Sequence, residues 1–186
     1  MRRRRGFTLI EMLATIGVMA ILATLAAPSF LEIAERNRLV TYANDLISSI
    51  NITRSEAIRR ALPVTLCPSA DGLTCGGTWN DGWITFVNAD DDSPAAVDEG
   101  EDVLRVHEAL SPGYTLSPNP VFADHITYRS DGSANDAGVF AICHEGHVAG
   151  ARAVILTQLR PRVARDTDND RIPNTDIGNI ADCVNP

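Results

Sequence analysis

A run of twenty uncharged residues near the N-terminus, residues 12–31, constrains this chain more than any other feature. At about 1.5 Å per residue, a helix over this run is roughly 30 Å long, which matches the hydrocarbon core of a bilayer. Four arginines precede it at positions 2–5, and the positive-inside rule then keeps the N-terminus cytoplasmic. The run is longer than the core of a cleaved secretory signal, and no Ala-x-Ala site closes it. We therefore expect residues 12–31 to cross a membrane once.

Charge is distributed unevenly along the chain. Nineteen of the 24 acidic residues follow residue 60, whereas only seven of the sixteen arginines do. A surface of that sign repels nucleic acid on average, so DNA binding would need a local basic patch.

Glu11 lies at the entrance of the apolar run, where a carboxylate normally has a partner or a function. The segment Arg-Gly-Phe-Thr-Leu-Ile-Glu that ends at Glu11 resembles the type III signal of type IV pilins and of type II secretion pseudopilins. The resemblance implies that residues 1–6 are a leader, that prepilin peptidase cleaves between Gly6 and Phe7, and that Phe7 is then N-methylated. It also implies that Glu11 pairs with the Phe7 amine of a neighbouring subunit. Such a pair satisfies two groups that would each be penalised alone in an apolar bundle.

Residues 7–62 are predicted to form one long helix, which is apolar at first and amphipathic after residue 31. Apolar residues of the second part recur at spacings of three, four and seven, which is typical of a helix face packed on a core. Pro63 ends the helix because it lacks an amide hydrogen. The predicted stripe consists of Leu39, Ala43, Leu46, Ile50, Ala57 and Ala61.

Residues 63–186 are predicted to form a β domain, because short apolar segments alternate there with glycine-containing turns. The segment 88–102, rich in Asp and Glu, is expected to be a solvated loop. The predicted strands are residues 64–67, 82–87, 103–107, 126–128, 139–143 and 153–156.

The β domain carries a second resemblance. Residues 65–69, Cys75, and residues 82–86, 128–132 and 140–143 resemble the GspH/FimT family of minor pilins and pseudopilins in order and spacing. The resemblance implies an α+β, type IV pilin-like fold, with a long N-terminal helix packed on antiparallel sheets. It also implies a subunit near the tip of a type IV pilus or a type II secretion pseudopilus that helps to initiate assembly. The Cys-Pro-Ser segment and the C-terminal cysteine favour the FimT side.

Family membership would set location and partners as well. The chain would be anchored in a bacterial inner membrane, with its N-terminus in the cytoplasm and residues 63–186 in the periplasm. Its partners would be other pilins, bound through the N-terminal helix, together with prepilin peptidase and the inner-membrane assembly platform. Two alternatives remain within the family: a DNA receptor for uptake in natural transformation, and the H pseudopilin of a protein-export system.

Four cysteines fit an oxidising compartment and allow three disulfide connectivities. Cys67 and Cys75 enclose a short segment rich in Asp, Gly and Ser, which suits a stapled hairpin. Cys183 would then join the C-terminal tail to the strand that ends at Cys143. We expect the pairs Cys67–Cys75 and Cys143–Cys183.

Two catalytic or metal patterns are weak. Cys143 with His144 and His147 could bind a metal, but no second ligand cluster has the spacing of a zinc site. Ser69, His107 and Asp131 could be drawn as a triad, but no nucleophile elbow supports it. We expect no enzymatic activity.

One basic segment, formed by Arg160, Arg162 and Arg165, interrupts the acidic domain. Some FimT proteins bind DNA at this place through a Gly-Arg-x-Arg motif. Arg160 and Arg162 match its arginines, whereas Leu159 replaces the glycine. The segment could hold DNA phosphates, or its arginines could pair with the aspartates that follow.

The tail from residue 166 carries aspartates at a spacing that suits calcium. They resemble the Asp-rich calcium repeats of thrombospondin type 3, and several carboxylates two residues apart can wrap a hard cation. Arg171 stands where such loops have glycine, and the glutamate that closes an EF-hand is absent. The alternative is a solvated acidic tail that balances the arginines. The candidate ligands are Asp166, Asp168, Asp170 and Asp176.

Overall fold

The structure, a computed structural model, describes residues 7–176 and 178–186. The residues up to Asn37 form one compact unit, and Arg38–Pro186 form a second. The predicted leader, residues 1–6, lies outside the described residues.

One long helix, α1, covers Leu9–Arg60, so it begins two residues later and ends two residues earlier than predicted. It ends early because Ala61 adopts a left-handed φ of 55° and Pro63 cannot donate to the helix ladder. Near this end, Glu56 forms ion pairs with Arg59 and Arg60. Hydrogen bonds from these two arginines lower the pKa of Glu56 to about 2.

The segment predicted to cross a membrane, residues 12–31, is helical over its whole length. Within the described part of the chain, however, no helix combines the length and the apolar character that a membrane crossing requires. The single-pass arrangement therefore stays a prediction.

Two four-stranded antiparallel sheets and a short ribbon follow the helix. The first sheet has the strand order β3-β2-β1-β5, the second has β4-β6-β7-β8, and β9 pairs with β10. The strands are β1 Val64–Pro68, β2 Trp83–Val87, β3 Val103–His107, β4 Tyr114–Pro118, β5 Ile126–Tyr128, β6 Gly138–His144, β7 His147–Leu156, β8 Pro161–Val163, β9 Asn174–Thr175 and β10 Gly178–Asn179.

All six predicted strands are present, and β3 and β5 have the predicted bounds. The sequence did not predict β4 and β8, which are the two edge strands of the second sheet. Each contains a proline, Pro118 and Pro161, and proline argues against a strand unless that strand lies at a sheet edge. The start of β7 was also placed too late, at residue 153 instead of His147.

The second half of α1 shares one buried cluster with both sheets. Five residues of the predicted stripe, Leu39, Ala43, Leu46, Ile50 and Ala57, are at most 5% exposed. The sixth, Ala61, was wrongly assigned to it, since the helix ends before this residue and leaves it exposed.

Hydrogen bonds between buried side chains fix how α1 and β2 are placed against each other. The Trp83 indole N–H donates to Ser49 Oγ over 2.9 Å, and the Thr53 and Thr85 hydroxyls lie 3.3 Å apart. Both pairs join α1 to β2. Buried polar groups without such partners would cost about 1–3 kcal/mol each.

The tail covers the outer face of the second sheet. Small and apolar side chains of β6 and β7, among them Ala141 and Ala153, form a buried cluster with Ile180 and Cys183 of the tail. The Cys143–Cys183 disulfide closes this cover across 40 residues of chain. The other disulfide, Cys67–Cys75, spans eight residues on the first sheet. Both pairs are those expected from the sequence.

Candidate functional site

The start of α1 is closed by a reciprocal cap. The Thr8 backbone N–H donates to Glu11 Oε2 over 3.3 Å, and the Glu11 backbone N–H donates to Thr8 Oγ1 over 3.3 Å. This is a capping box, in which two otherwise unpaired amide groups of the first turn gain acceptors. The Thr-x-x-Glu spacing predicts this capping box, which is a role of Glu11 in addition to the predicted pairing with another subunit. Gly6 lies outside the described residues.

The helix that follows presents apolar side chains to its surroundings. Burying a side chain of this size stabilises by about 1.5–3 kcal/mol, so this surface is suited to lipid or to other apolar helices. Glu11 is the one acid between residues 7 and 31. The side chains of Phe7, Leu9, Ile10, Met12, Leu13, Ile16, Val18, Met19, Ile21 and Leu22 are each at least 57% exposed.

The basic segment lies at an edge of the second sheet. Arg162 is the middle residue of β8, and all three arginines are exposed. The Arg162 guanidinium donates to Asp176 Oδ1 in an ion pair. Arg160 and Arg165 have no ion pair within the described part of the chain. The structure therefore supports pairing with the tail aspartates for one arginine of the three.

The structure brings three of the four candidate calcium ligands together. One carboxylate oxygen each of Asp166, Asp168 and Asp170 lies within 4.8 Å of the others. Asp176 is not part of this group, because it pairs with Arg162. A cation at the three carboxylates would thus leave the fourth aspartate on the basic segment.

The loop that carries these carboxylates turns tightly at Arg171. This residue has a φ of 72°, in the left-handed region that favours glycine. Two backbone amides, those of Asn169 and Arg171, donate to Asp166 over 2.7 and 2.9 Å. Desolvation, the largest influence, raises the pKa of Asp166, but these hydrogen bonds outweigh it and leave the pKa below its usual value. The Arg171 carbonyl accepts from Gly150 over 2.7 Å, which anchors the loop to β7.

A second acidic group lies in the segment 88–102, which was predicted to be a solvated loop. It is formed by Asp90, Asp92 and Asp98. Asp90 and Asp98 are exposed, and Asp92 is partly buried. The Asp92 carboxylate accepts the Ala96 amide over 3.1 Å and therefore orders the loop locally.

The residues that could be drawn as a catalytic triad have other partners. The Ser69 hydroxyl donates to Asp71 over 3.1 Å, and His107 Nε2 lies 3.4 Å from Asp45 Oδ2. Asp131 accepts a hydrogen bond from the amide two residues ahead in its own turn. Each of the three residues thus contacts a partner other than the members of the drawn triad.

The alternative metal pattern loses its thiolate. Cys143 is bonded to Cys183, and a disulfide sulfur is not the anionic ligand that zinc prefers. His144 instead stacks on Tyr114, with ring centroids 4.5 Å apart.

Calcium binding at the three grouped aspartates can be tested directly. If these aspartates bind calcium, titration of the oxidised protein should release heat with a Kd on the order of 0.1–1 mM, which is typical of extracellular sites, and should raise the thermal midpoint. A solvated acidic tail should give neither signal. Asp168→Asn should abolish both effects. The matched control Asp176→Asn should keep them, because Asp176 lies outside the group. The prediction is wrong if millimolar calcium gives neither signal, or if Asp168→Asn binds as the wild type does.

Comparison with known proteins gives two family matches. The profile of the type II transport protein GspH matches residues 42–159, and the profile of the prokaryotic N-terminal methylation motif matches residues 1–27.

Solved structures that resemble this chain include two crystal forms of a minor pilin and the structure of a minor pseudopilin. One crystal structure of the type IV minor pilin FimU from Pseudomonas aeruginosa strain PAO1 has a TM-score of 0.56 at 20% identity, over 81% of this chain and 98% of FimU. A second FimU crystal form has a TM-score of 0.53 at 18% identity, over 77% and 98% of the two chains. The minor pseudopilin EpsH from the type 2 secretion system of Vibrio cholerae has a TM-score of 0.49 at 14% identity, over 68% and 95%. At these identities the FimU structures support the fold.

Proposed function

Since the chain belongs to the family of the type II transport protein GspH and is thereby a minor pilin or pseudopilin, we propose that it helps to initiate a filament from a place near the filament tip. The filament is a type IV pilus or a type II secretion pseudopilus. The proposed role is structural and requires no catalytic residue. Within the family we favour the FimT side, because the chain has the Cys-Pro-Ser segment at Cys67 and a C-terminal disulfide at Cys183.

The observation that carries this proposal is the exposed apolar surface of the first part of α1. Ten large side chains from Phe7 to Leu22 are mostly exposed, and together they would contribute tens of kcal/mol if buried, at about 1.5–3 kcal/mol each. Lipid can cover them in the membrane, and neighbouring helices can cover them in a filament. The same apolar surface therefore suits a subunit that resides in the membrane before assembly and packs against other helices in the filament.

The methylation motif and the family membership make the chain a membrane-anchored component of its filament. We further propose a single crossing of the bacterial inner membrane, with the N-terminus in the cytoplasm and residues 63–186 in the periplasm. Four arginines at positions 2–5 support this orientation. Two disulfides in the β domain are consistent with an oxidising compartment.

Other pilins or pseudopilins are the partners that the family implies. Prepilin peptidase and the inner-membrane assembly platform are the proposed partners before assembly. In the filament, the Phe7 amine would be the cation that approaches Glu11 of a neighbouring subunit. Glu11 Oε2 lies at the first turn, within 3.4 Å of the Thr8 hydroxyl, so the carboxylate stays close to the chain end.

N-terminal processing of the chain can be tested directly. Cleavage between Gly6 and Phe7 should leave N-methyl-Phe7 as the first residue, and mass spectrometry of the membrane-extracted protein can detect it. Gly6→Val should block cleavage, because it places a bulky side chain at the scissile bond. Gly6→Ala is the control and should be cleaved to a larger extent than Gly6→Val. Retention of residues 1–6 in a host with an active peptidase would contradict the prediction.

Filament assembly can be tested with two variants. They separate the two roles of Glu11, the helix cap and the pairing with the Phe7 amine of a neighbouring subunit. Glu11→Gln removes the charge but can keep the capping box, since glutamine also serves at this position. Thr8→Ala removes the cap and keeps the charge, at a cost of about 1 kcal/mol. We expect Glu11→Gln to lower incorporation into sheared filaments at least tenfold, and Thr8→Ala to lower it much less. Equal incorporation of Glu11→Gln and wild type would show that Glu11 serves only as a cap.

DNA binding is a second candidate function, favoured by the exposure of Arg160 and Arg165 beside the edge strand β8. Their guanidinium groups can hold phosphates without regard to base sequence, and such binding weakens steeply with salt. The pairing of Arg162 with Asp176 opposes it, because it neutralises one arginine of the three.

A gel-shift assay of the whole protein in neutral detergent tests this candidate. The double variant Arg160→Gln with Arg162→Gln should lose binding, whereas Asp176→Asn should bind more tightly than wild type, because it frees Arg162. Arg129→Gln is the matched control, an exposed arginine on a different strand end, and should bind as wild type does. No shift of wild-type protein at low salt, or equal shifts for the double variant, would remove the candidate.

A further inference from the structure

The two four-stranded sheets have four edges, and three of these are covered or blocked by residues that the structure describes. Beside β4, Asn80 Oδ1 accepts the Leu116 amide over 2.6 Å. Beside β5, Asn135 donates its amide to the Thr127 carbonyl over 2.8 Å. The β8 edge is three residues long and begins with Pro161, which has no amide hydrogen to offer.

The fourth edge, the free side of β3, is open. β3 has β2 as its one neighbour in the sheet. Within the described part of the chain, no backbone hydrogen bond outside the strand ladder involves residues 103–107. Arg105 and Val106 are exposed in the middle of the strand. An open edge of five residues presents unpaired backbone groups, which another extended chain can join.

The outer face beside this edge is apolar. Val106 is 56% exposed and Leu73 is 67% exposed. Gly72, which precedes Leu73 in the Cys67–Cys75 loop, lies so close that a Cβ there would be 3.0 Å from Val106 Cγ1. The loop therefore lies against Val106 at Gly72, and its exposed leucine is the next residue. We call Val106 and Leu73 together the apolar patch.

The opposite face beside the edge carries a carboxylate. A cleft of about 90 Å³ between α1 and β3 is lined by Asp45, Trp83 and His107, among others. The His107 ring stacks on Trp83 with centroids 3.7 Å apart and approaches Asp45 from one side. The Asp45 side chain remains 41% exposed, so a cation of a partner can reach it.

The charges around the edge favour a basic partner. Asp102 directly precedes β3 and Glu108 directly follows it, and both are exposed. With Asp45 they outnumber the single cation of the strand, Arg105. A second copy of this chain fits poorly, because antiparallel pairing about Arg105 would place the two arginines opposite each other and Asp102 near Glu108. Like charges in such positions are destabilising.

We propose that the β3 edge binds an extended, basic segment of a partner protein as an additional strand of the first sheet. Side chains of a strand alternate between faces, so one set of the partner's side chains contacts the apolar patch of Val106 and Leu73. The other set lies over the cleft, where an arginine or lysine reaches Asp45. The partner segment thus alternates apolar and basic residues. This inference rests on the second compact unit and does not depend on the role of the N-terminal helix.

A fluorescent peptide of ten residues, in which arginine alternates with valine and threonine, tests this proposal by anisotropy on the full chain in neutral detergent. We expect saturable binding with protection of β3 amides from hydrogen exchange. Methylating alternate backbone nitrogens of the peptide removes donors without changing charge, and should weaken binding at least tenfold. Replacing its arginines by glutamates should abolish binding, since the acids of the edge then repel it.

Variants of the protein locate the site. Val106→Arg adds a bulky cation at an exposed position and should weaken binding at least tenfold. Val121→Arg, at a valine 46% exposed outside this surface, is the matched control and should bind as wild type does. Glu108→Gln is the second variant, for the case that Val106→Arg lowers the thermal midpoint of the protein. It should keep the fold and weaken peptide binding at low salt. The proposal is wrong if the N-methylated peptide binds as tightly as the unmethylated one. It is also wrong if Val106→Arg and Glu108→Gln both bind the peptide as the wild-type protein does. A dimer that forms through β3 and excludes the peptide would also overturn it.

Discussion

The burial of one stripe of α1 against both sheets is the interaction on which the rest of the β domain depends. Leu46 and Ile50 are completely buried there, and a leucine-to-alanine change at such a position costs about 2–5 kcal/mol. The two sheets bury their inner faces in this same cluster. The hydrogen bond from Trp83 to Ser49 then fixes the register of β2 along the helix, because an indole N–H that loses its buried acceptor is penalised.

The same helix is built for two environments. Its second half gains stability by packing within its own chain. The ten large apolar side chains between Phe7 and Leu22 are exposed, and lipid or other subunits can stabilise them by covering them. Glu11 is compatible both with lipid and with the filament. The capping box gives its carboxylate local hydrogen-bond donors, and the carboxylate can still pair with a cation. A subunit with this division can be stable as a folded domain before it enters a filament.

The acidic character of the β domain is used differently at different places. At the tail, Asp176 neutralises Arg162, and three other aspartates face one another closely enough for a cation. At the first sheet, the acids bracket an open strand. The Cys143–Cys183 disulfide holds the tail on the second sheet, so the position of Asp176 beside the basic segment depends on that bond as well as on charge.

The long helix, five residues of its buried stripe, six strands and the N-terminal signal motif could be predicted from the sequence, because they depend on local periodicity and on residues adjacent in the chain. The sequence also contained the Thr8–Glu11 cap, whose spacing is local. Two features could not be predicted in this way: β4 and β8 complete the second sheet, and one edge of β3 is left open. A strand's neighbours are set by pairing across long sequence separations, which become visible in the folded chain. For the same reason Asp176, which has the spacing of a calcium ligand, lies on Arg162 instead. Spacing fixes which groups can meet within a loop, but the ion pair between residues 162 and 176 forms because the folded tail brings them together.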